Sequence, residues 1–322
     1  MKNNKINLFV RLFLAFIIIG GAFSCNDKEV FEKEQFKNVF ALVSGSDNIV
    51  TWIHDLRMNE STGYVAASLG GTNPSTKDIK VTLVEDNKLI DNYNAVAFDV
   101  NTFKYIKPLA KSKYTIETLG FTIPAGETKA AIPVKIRPAG LSPDSSYFIA
   151  LKVESYSAYE VNPEKDYILY RVQTRNWWST SGGTIYNQRG NIIATGSSGN
   201  PVQVFGTKRM FPLTPTKVRL LAGTELNDNA NENVFKWYSM VLNIGNDNNI
   251  TIEPYKDLVI KQINGNADYP NKVFLENDGF KTYKTFMLYY TYKAANGTSY
   301  DIKEELRLEY KEDPKDPRFL PN

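Results

Sequence analysis

Between about residue 38 and residue 175, apolar and polar positions alternate with a period of two, the repeat of strands with one buried face. Val81 and Leu83 alternate with Lys80 and Thr82. Ile132, Val134 and Ile136 alternate with Ala131, Pro133 and Lys135, and Tyr147, Ile149, Leu151 and Val153 with Phe148, Ala150, Lys152 and Glu154. Turn formers separate these runs: Gly70-Gly71, Pro124-Ala125-Gly126, Pro138-Ala139-Gly140 and Ser142-Pro143-Asp144. Pro133 has no amide hydrogen to give a ladder, so its strand belongs at a sheet edge or carries a bulge. Residues 91–103 lack clean alternation and predict one or two helical turns. Strands at this spacing, with a last one over residues 167–173, predict an antiparallel β-sandwich of immunoglobulin-like kind.

The pattern changes after Arg175. Asn176-Trp177-Trp178 opens a stretch rich in Asn, Gly and aromatics, and Ser181-Gly182-Gly183 marks a boundary. Longer runs follow over residues 218–221, 237–244, 286–292 and 300–310. Phe286, Leu288, Tyr290 and Tyr292 share one face while Met287, Tyr289 and Thr291 share the other. With both faces largely apolar, such strands must be covered twice or curl around a filled interior. Asn296-Gly297 between the last two runs is a hairpin signal. These features predict a closed or nearly closed antiparallel barrel of calycin-like kind, with a jelly-roll sandwich as the alternative. The whole is expected to be all-β.

The N-terminus carries a different signal. Lys2, Lys5 and Arg11 precede an apolar run from Leu12 to Ile19, and Ala22-Phe23-Ser24 leads to Cys25, the single cysteine. That order is the layout of an export signal over residues 1–24, and its apolar stretch is short for a membrane span. A cysteine at this point resembles the lipobox of bacterial lipoproteins, in which it becomes the acylated first residue. Asn26-Asp27-Lys28-Glu29 resembles the charged tag of lipoproteins displayed on the outer leaflet of the outer membrane. The expectation is a lipid anchor at Cys25, a tether over residues 25–37, the sandwich over 38–175, the barrel over 176–311 and a tail over 312–322. An ordinary secretory peptide is the alternative.

Anchorage changes the charge. Losing Lys2, Lys5 and Arg11 leaves 35 basic against 35 acidic side chains, so the formal +3 disappears. Nucleic-acid binding needs a basic face, and Lys and Arg do not cluster here. With its one cysteine given to lipid, the chain must be stabilised by apolar cores, to which 19 Tyr and 18 Phe contribute.

The residues 105–109 (Tyr-Ile-Lys-Pro-Leu), 121–126 (Phe-Thr-Ile-Pro-Ala-Gly), the Ile132/Val134/Ile136 strand, Leu141-Ser142-Pro143-Asp144 and the 147–153 strand resemble a Bacteroidetes lipoprotein domain of unknown function. That domain also precedes the catalytic barrel of some endo-β-N-acetylglucosaminidases. The run from Asp278-Gly279-Phe280 through Tyr292 and on to Tyr310 resembles the C-terminal barrel often paired with it. The resemblance implies a fold, a cell-surface setting and a polysaccharide-utilisation system, with a surface glycan-uptake complex as partner. It carries over no catalytic residues.

Candidate chemistry is narrow. His54 is the only histidine, so Ser-His and Cys-His nucleophilic systems and His/Cys zinc sites lack parts; it is expected at a surface or edge. No phosphate loop or dinucleotide fingerprint is present, and no cofactor is implied. Gly196-Ser197-Ser198-Gly199 is too short for a nucleophile elbow. Glu304 shares strand parity with Ile302, Leu306 and Leu308 and so points inward if the strand is regular, where a carboxylate could serve a glycosidase as acid; a bulge between Glu304 and Glu305, or a Lys or Arg partner, is the simpler reading. Asn227-Asp228-Asn229 and Asn246-Asp247-Asn248-Asn249 offer calcium-type oxygens without the distal glutamate of a calcium loop.

The aromatic residues carry the strongest signal. Trp177-Trp178 and Trp237-Tyr238 are adjacent pairs that on extended backbone face opposite ways. Tyr186, Asn187, Gln188, Asn191, Asn227 and Asn229 add polar groups close in sequence. Flat rings edged by amides suit the apolar faces and hydroxyl rims of sugars. The expected function is glycan binding by a non-catalytic surface lipoprotein, the barrel binding and the sandwich acting as spacer. The alternatives are a glycoside hydrolase and a structural or adhesive surface protein.

Overall fold

Inward apolar residues on alternate positions close two separate cores in the computed structural model, which describes residues 36–226 and 231–311. The export signal and Cys25, Asn227 to Asn229 and the tail lie outside the described residues.

The first core is a sandwich. One sheet has the order β10-β1-β3-β8-β6, with β1 Val39–Leu42, β3 Ser61–Gly70, β6 Tyr114–Thr115, β8 Lys129–Ile136 and β10 Glu160–Val161. The other has the order β2-β11-β9-β4-β7, with β5 beside β9. Its strands are β2 Ile49–Asp55, β4 Ile79–Glu85, β5 Lys107–Pro108, β7 Gly120–Ile123, β9 Tyr147–Tyr156 and β11 Tyr167–Arg175. Val81, Leu83, Ile132, Val134, Ile136, Ile149 and Leu151 fill the space between the sheets. Pro133 pairs with Tyr64 of β3, while the two-residue β6 covers only Lys135 and Ile136, so the proline sits where β8 is otherwise an edge.

Residues 91–103 do more than expected. Helix α1, Lys88–Phe98, is 11 residues long, and a short 3-10 turn, Thr102–Lys104, follows it. The Asn94 side chain holds this helix to the chain after it, accepting from Ile106 N at 2.8 Å and donating to Ile106 O at 3.0 Å. The helix covers the outer face of β9. Phe148 and Ala150, expected on an open face, are therefore buried in a satellite core with Ile90, Ile106 and Leu169.

His54 departs from expectation. It is fully buried in β2, with Nδ1 3.1 Å from Ser61 Oγ and Nε2 3.2 Å from Tyr170 Oη. Burial, opposed by Ser61, pulls the imidazole from 6.5 down to about 4. The neutral ring is the form the fold holds, so its contribution is complete above pH 6.5 and lost as pH falls through 4. We expect about 3 kcal/mol of stability to vanish across that window from this group. Urea unfolding at stepped pH checks it: His54→Gln should flatten the acid limb.

The second core is a barrel of nine antiparallel strands in the order β16-β15-β14-β13-β12-β20-β19-β17, with β18 also on β19. They are β12 Thr184–Ala194, β13 Val202–Pro212, β14 Lys217–Leu221, β15 Ser239–Ile244, β16 Ile250–Pro254, β17 Ile260–Gln262, β18 Lys272–Asn277, β19 Thr282–Lys293 and β20 Ser299–Tyr310. Phe286, Leu288, Tyr290 and Tyr292 all point inward and are buried, as the double-faced pattern requires. The β19–β20 hairpin turns through Asn296-Gly297, with Gly297 at φ 89. The sheet does not close by a backbone ladder between β16 and β17. Two devices close it instead: Gln262 Oε1 accepts from Ile252 N at 2.7 Å and its Nε2 donates to Ile250 O at 3.0 Å, and beside them Ile250 N donates to Asn271 O and Val273 N to Asn248 O.

The two units are stitched together. Asn176, just past β11, donates through Nδ2 to Thr214 O (2.8 Å) and Lys217 O (3.0 Å), while its Oδ1 accepts from Trp178 N and Ser179 N. Arg219, on the outer face of β14, is 1% exposed, with Nη2 2.9 Å from Asp144 of the sandwich. Its guanidinium carbon lies 4.5 Å from the Phe211 ring centre and 4.6 Å from that of Phe235. Tyr255 donates to the other Asp144 oxygen at 2.9 Å, and Phe103 of the sandwich lies 5.7 Å from Phe235.

Candidate functional site

The barrel interior holds a closed polar network. Regular β19–β20 pairing carries Glu304 inward without a bulge, and its side chain is fully buried. Lys208 of β13 lies 2.8 Å from Oε2 and 3.1 Å from Oε1; Tyr290 donates to Oε1 at 2.7 Å and Gln188 to Oε2 at 2.6 Å. Gln188 also donates to Gly223 O at 3.1 Å, and Gly223 N donates to Tyr290 Oη at 3.0 Å. Burial lowers the Lys208 pKa while Glu304 opposes it, and burial followed by Glu304 raises that of Tyr290. Both carboxylate oxygens are thus occupied by a cation and two neutral donors. Glu304 is a strut that ties four strands and one loop together, and the Lys or Arg partner expected from sequence is Lys208.

Above this network the barrel opens into a cleft of about 520 Å³ between the start of β13, the loop after β14, the β19–β20 turn and a short helix, α2, Glu232–Tyr238. Gly223 packs behind Tyr292, one of the cleft's lining residues. It adopts φ 67, and a Cβ there would lie 2.1 Å from Tyr292 Oη, so only glycine lets the phenol sit against the loop. Tyr292 lies 5.8 Å from Tyr300 in a stacked pair and 6.3 Å from Tyr238 edge to face. Tyr238 is fixed in turn, its hydroxyl accepting from Ala295 N at 3.1 Å. Phe205 stands on the rim with 77% of its surface exposed. Gln203, Thr224, Glu225 and Asn296 supply amide, hydroxyl and carboxylate groups between the rings. Burial, then Tyr238 and Glu225, raise the Tyr292 pKa, so its phenol keeps its proton.

The sequence-predicted residues divide sharply. Tyr238 lines the cleft. Trp237 is 40% exposed but lies outside the cleft lining, with Lys236 Nζ 5.1 Å from its ring centre. The expected strand start at Trp237 is the end of α2, because Asn231 caps a helix by accepting from Asn233 N and Val234 N. Trp178 and Tyr186 are core: Tyr186 donates to Trp178 O at 2.8 Å, and both rings pack edge-on against Phe286 at 5.5 Å. Trp177 is half-buried, and Lys284 Nζ sits 4.2 Å from its ring centre and 4.9 Å from that of Tyr310. Its face is therefore taken by a lysine of the same chain.

Asn187 is exposed beside a smaller hollow of about 270 Å³ on the outer barrel wall, with Tyr283, Glu305 and Arg307. Gln188 is consumed by the interior network and Asn191 is half-buried in β12. Asp247 serves its own turn, accepting from Asn249 N at 3.1 Å. Among the described residues no group of three or more His, Cys, Asp or Glu converges as a metal site. Sequence reasoning assigned no binding role to Phe205, Glu225, Tyr292 or Tyr300. Tyr292 and Tyr300 flank the predicted Asn296-Gly297 hairpin, which was the available clue.

The fold and this arrangement define a two-domain β protein with a sandwich, a nearly closed barrel and an aromatic cleft at the barrel end. One family model, for an N-terminal domain, matches residues 36–160, and another, for a C-terminal domain, matches residues 166–307. Each half of the chain therefore matches a domain model of its own, the N-terminal one first and the C-terminal one second. The second match begins at β11, which the structure places in the sandwich. No curated protein matches the chain. Among solved structures, a protein of unknown function from Bacteroides ovatus is 18% identical with a TM-score of 0.65, over 91% of this chain and 96% of that one. An auxiliary nutrient binding protein from Bacteroides thetaiotaomicron is 15% identical with a TM-score of 0.61, over 83% and 94%. A second Bacteroides ovatus protein of unknown function is 15% identical with a TM-score of 0.63, over 85% and 94%. At these identities the likeness is one of fold.

Proposed function

We propose that this chain binds glycan in the barrel-end cleft, as a cell-surface lipoprotein held by acylated Cys25 and serving a polysaccharide-uptake system without catalysis. The observation that carries the reading is the convergence of Phe205, Tyr238, Tyr292 and Tyr300 on one open cleft that also holds amide, hydroxyl and carboxylate groups. Sugar rings present C–H faces to such aromatic platforms and hydroxyls to such polar neighbours. The nutrient binding protein that shares the fold supports the reading, and the sandwich serves as the spacer between membrane and cleft.

Phe205 tests it most directly, because an exposed ring adds little to the core. Phe205→Ala should weaken glycan affinity about tenfold or more, the worth of burying one aromatic against ligand, while leaving the melting temperature nearly unchanged. The measurement is a glycan-array screen of the chain after Cys25, followed by calorimetric titration of each hit with wild type and variant. Reducing-end release assayed in parallel separates binding from hydrolysis. Array binding that survives Phe205→Ala and Tyr300→Ala undiminished places the ligand elsewhere and sinks the cleft assignment.

A further inference from the structure

The cleft has a charge character that bears on which glycans it accepts. Among the described residues that line it, Glu225 is the one charged side chain, and no Lys or Arg stands with it. Glu225 is half-buried and, among the described residues, makes no ion pair. The buried cation of the interior network, Lys208, is already bound to Glu304.

Resting on the glycan reading, we infer that Glu225 is the specificity-determining residue of this cleft: it admits neutral and amine-bearing sugars and rejects sugars that carry carboxylate or sulfate. The physical reason is direct. A carboxylate in a walled cleft accepts hydrogen bonds from sugar hydroxyls, or more strongly from an ammonium. An acidic sugar in the same place meets a like charge at short range, in a dielectric below that of water, without a cation to neutralise either group.

The probes are three methyl glycosides of one ring, methyl glucoside, methyl glucuronide and methyl glucosaminide, with the galacto-configured set beside them. Saturation-transfer NMR on the chain after Cys25, in low and high salt, gives relative affinities for wild type and Glu225→Gln. The glucuronide or galacturonide should bind about tenfold more weakly than its neutral partner in low salt, and the gap should narrow in high salt. Glu225→Gln should close most of that gap, and should weaken the amino sugar relative to the neutral one. Uronides that bind wild type as well as neutral sugars overturn the inference and leave the glycan reading standing. An unchanged ratio in Glu225→Gln does the same. If none of the probes binds, the glycan reading falls and the inference falls with it.

Discussion

Lys208→Met should cost the barrel about 3–5 kcal/mol, the penalty for stranding one charge of a buried pair. The remaining carboxylate of Glu304 would keep Tyr290 and Gln188 as donors but lose the cation at 2.8 Å, in a space sealed from water. Glu304→Leu alone should cost a similar amount, because it strands the ammonium. The double variant Lys208→Met/Glu304→Leu should recover more than half of either loss. Tyr290 would still accept from Gly223 N and Gln188 would still donate to Gly223 O, so few polar groups are orphaned. Urea unfolding of the four proteins closes the cycle. Single-variant losses below about 1 kcal/mol would mean that water reaches the network.

The second large effect lies between the domains. Arg219→Ala removes an ion pair to Asp144 and two ring contacts at once, and should cost about 2–4 kcal/mol. Asp144 is only partly exposed, so part of the penalty returns as it rehydrates. The expected calorimetric signature is separation of the unfolding transitions of sandwich and barrel. Because Phe235 stacks on Arg219 while Tyr238, one turn on in α2, lines the cleft, glycan affinity should drop as well. Transitions that remain coincident would show that Asn176 and the linker suffice to join the units.

The sandwich was legible in sequence because each strand carries its own signal. Ile132, Val134 and Ile136 alternate cleanly, and the structure buries all three. The barrel was legible through Phe286 to Tyr292, whose two apolar faces admit few arrangements. Helix α1 was underestimated because only Ile90 and Asn94 among its residues are buried, so its apolar stripe is too thin to read. The Trp pairs misled for a related reason. Adjacent aromatics on an ideal strand diverge, but Trp177-Trp178 lies in a turn organised by Asn176, and Trp237-Tyr238 lies on a capped helix. The cleft itself was hidden because its rings come from β13, α2, β19 and β20, and their convergence depends on tertiary closure. Glu304 could be placed inward by parity, but its partners Lys208, Tyr290 and Gln188 stand 96, 14 and 116 residues away.

The side chain of Gln262 has a bearing on how many copies of this protein can coexist. An open sheet ends in two strands whose unpaired amides and carbonyls are templates for a neighbouring chain, the common route to edge-to-edge aggregation. Here the primary amide of Gln262 imitates a peptide group, satisfying one donor and one acceptor of β16 from the β17 side. Each exposed margin is thereby turned against the other. The nine-stranded sheet consequently offers no long free border along that seam for a second molecule to extend, so a dense population can remain discrete while its clefts stay available.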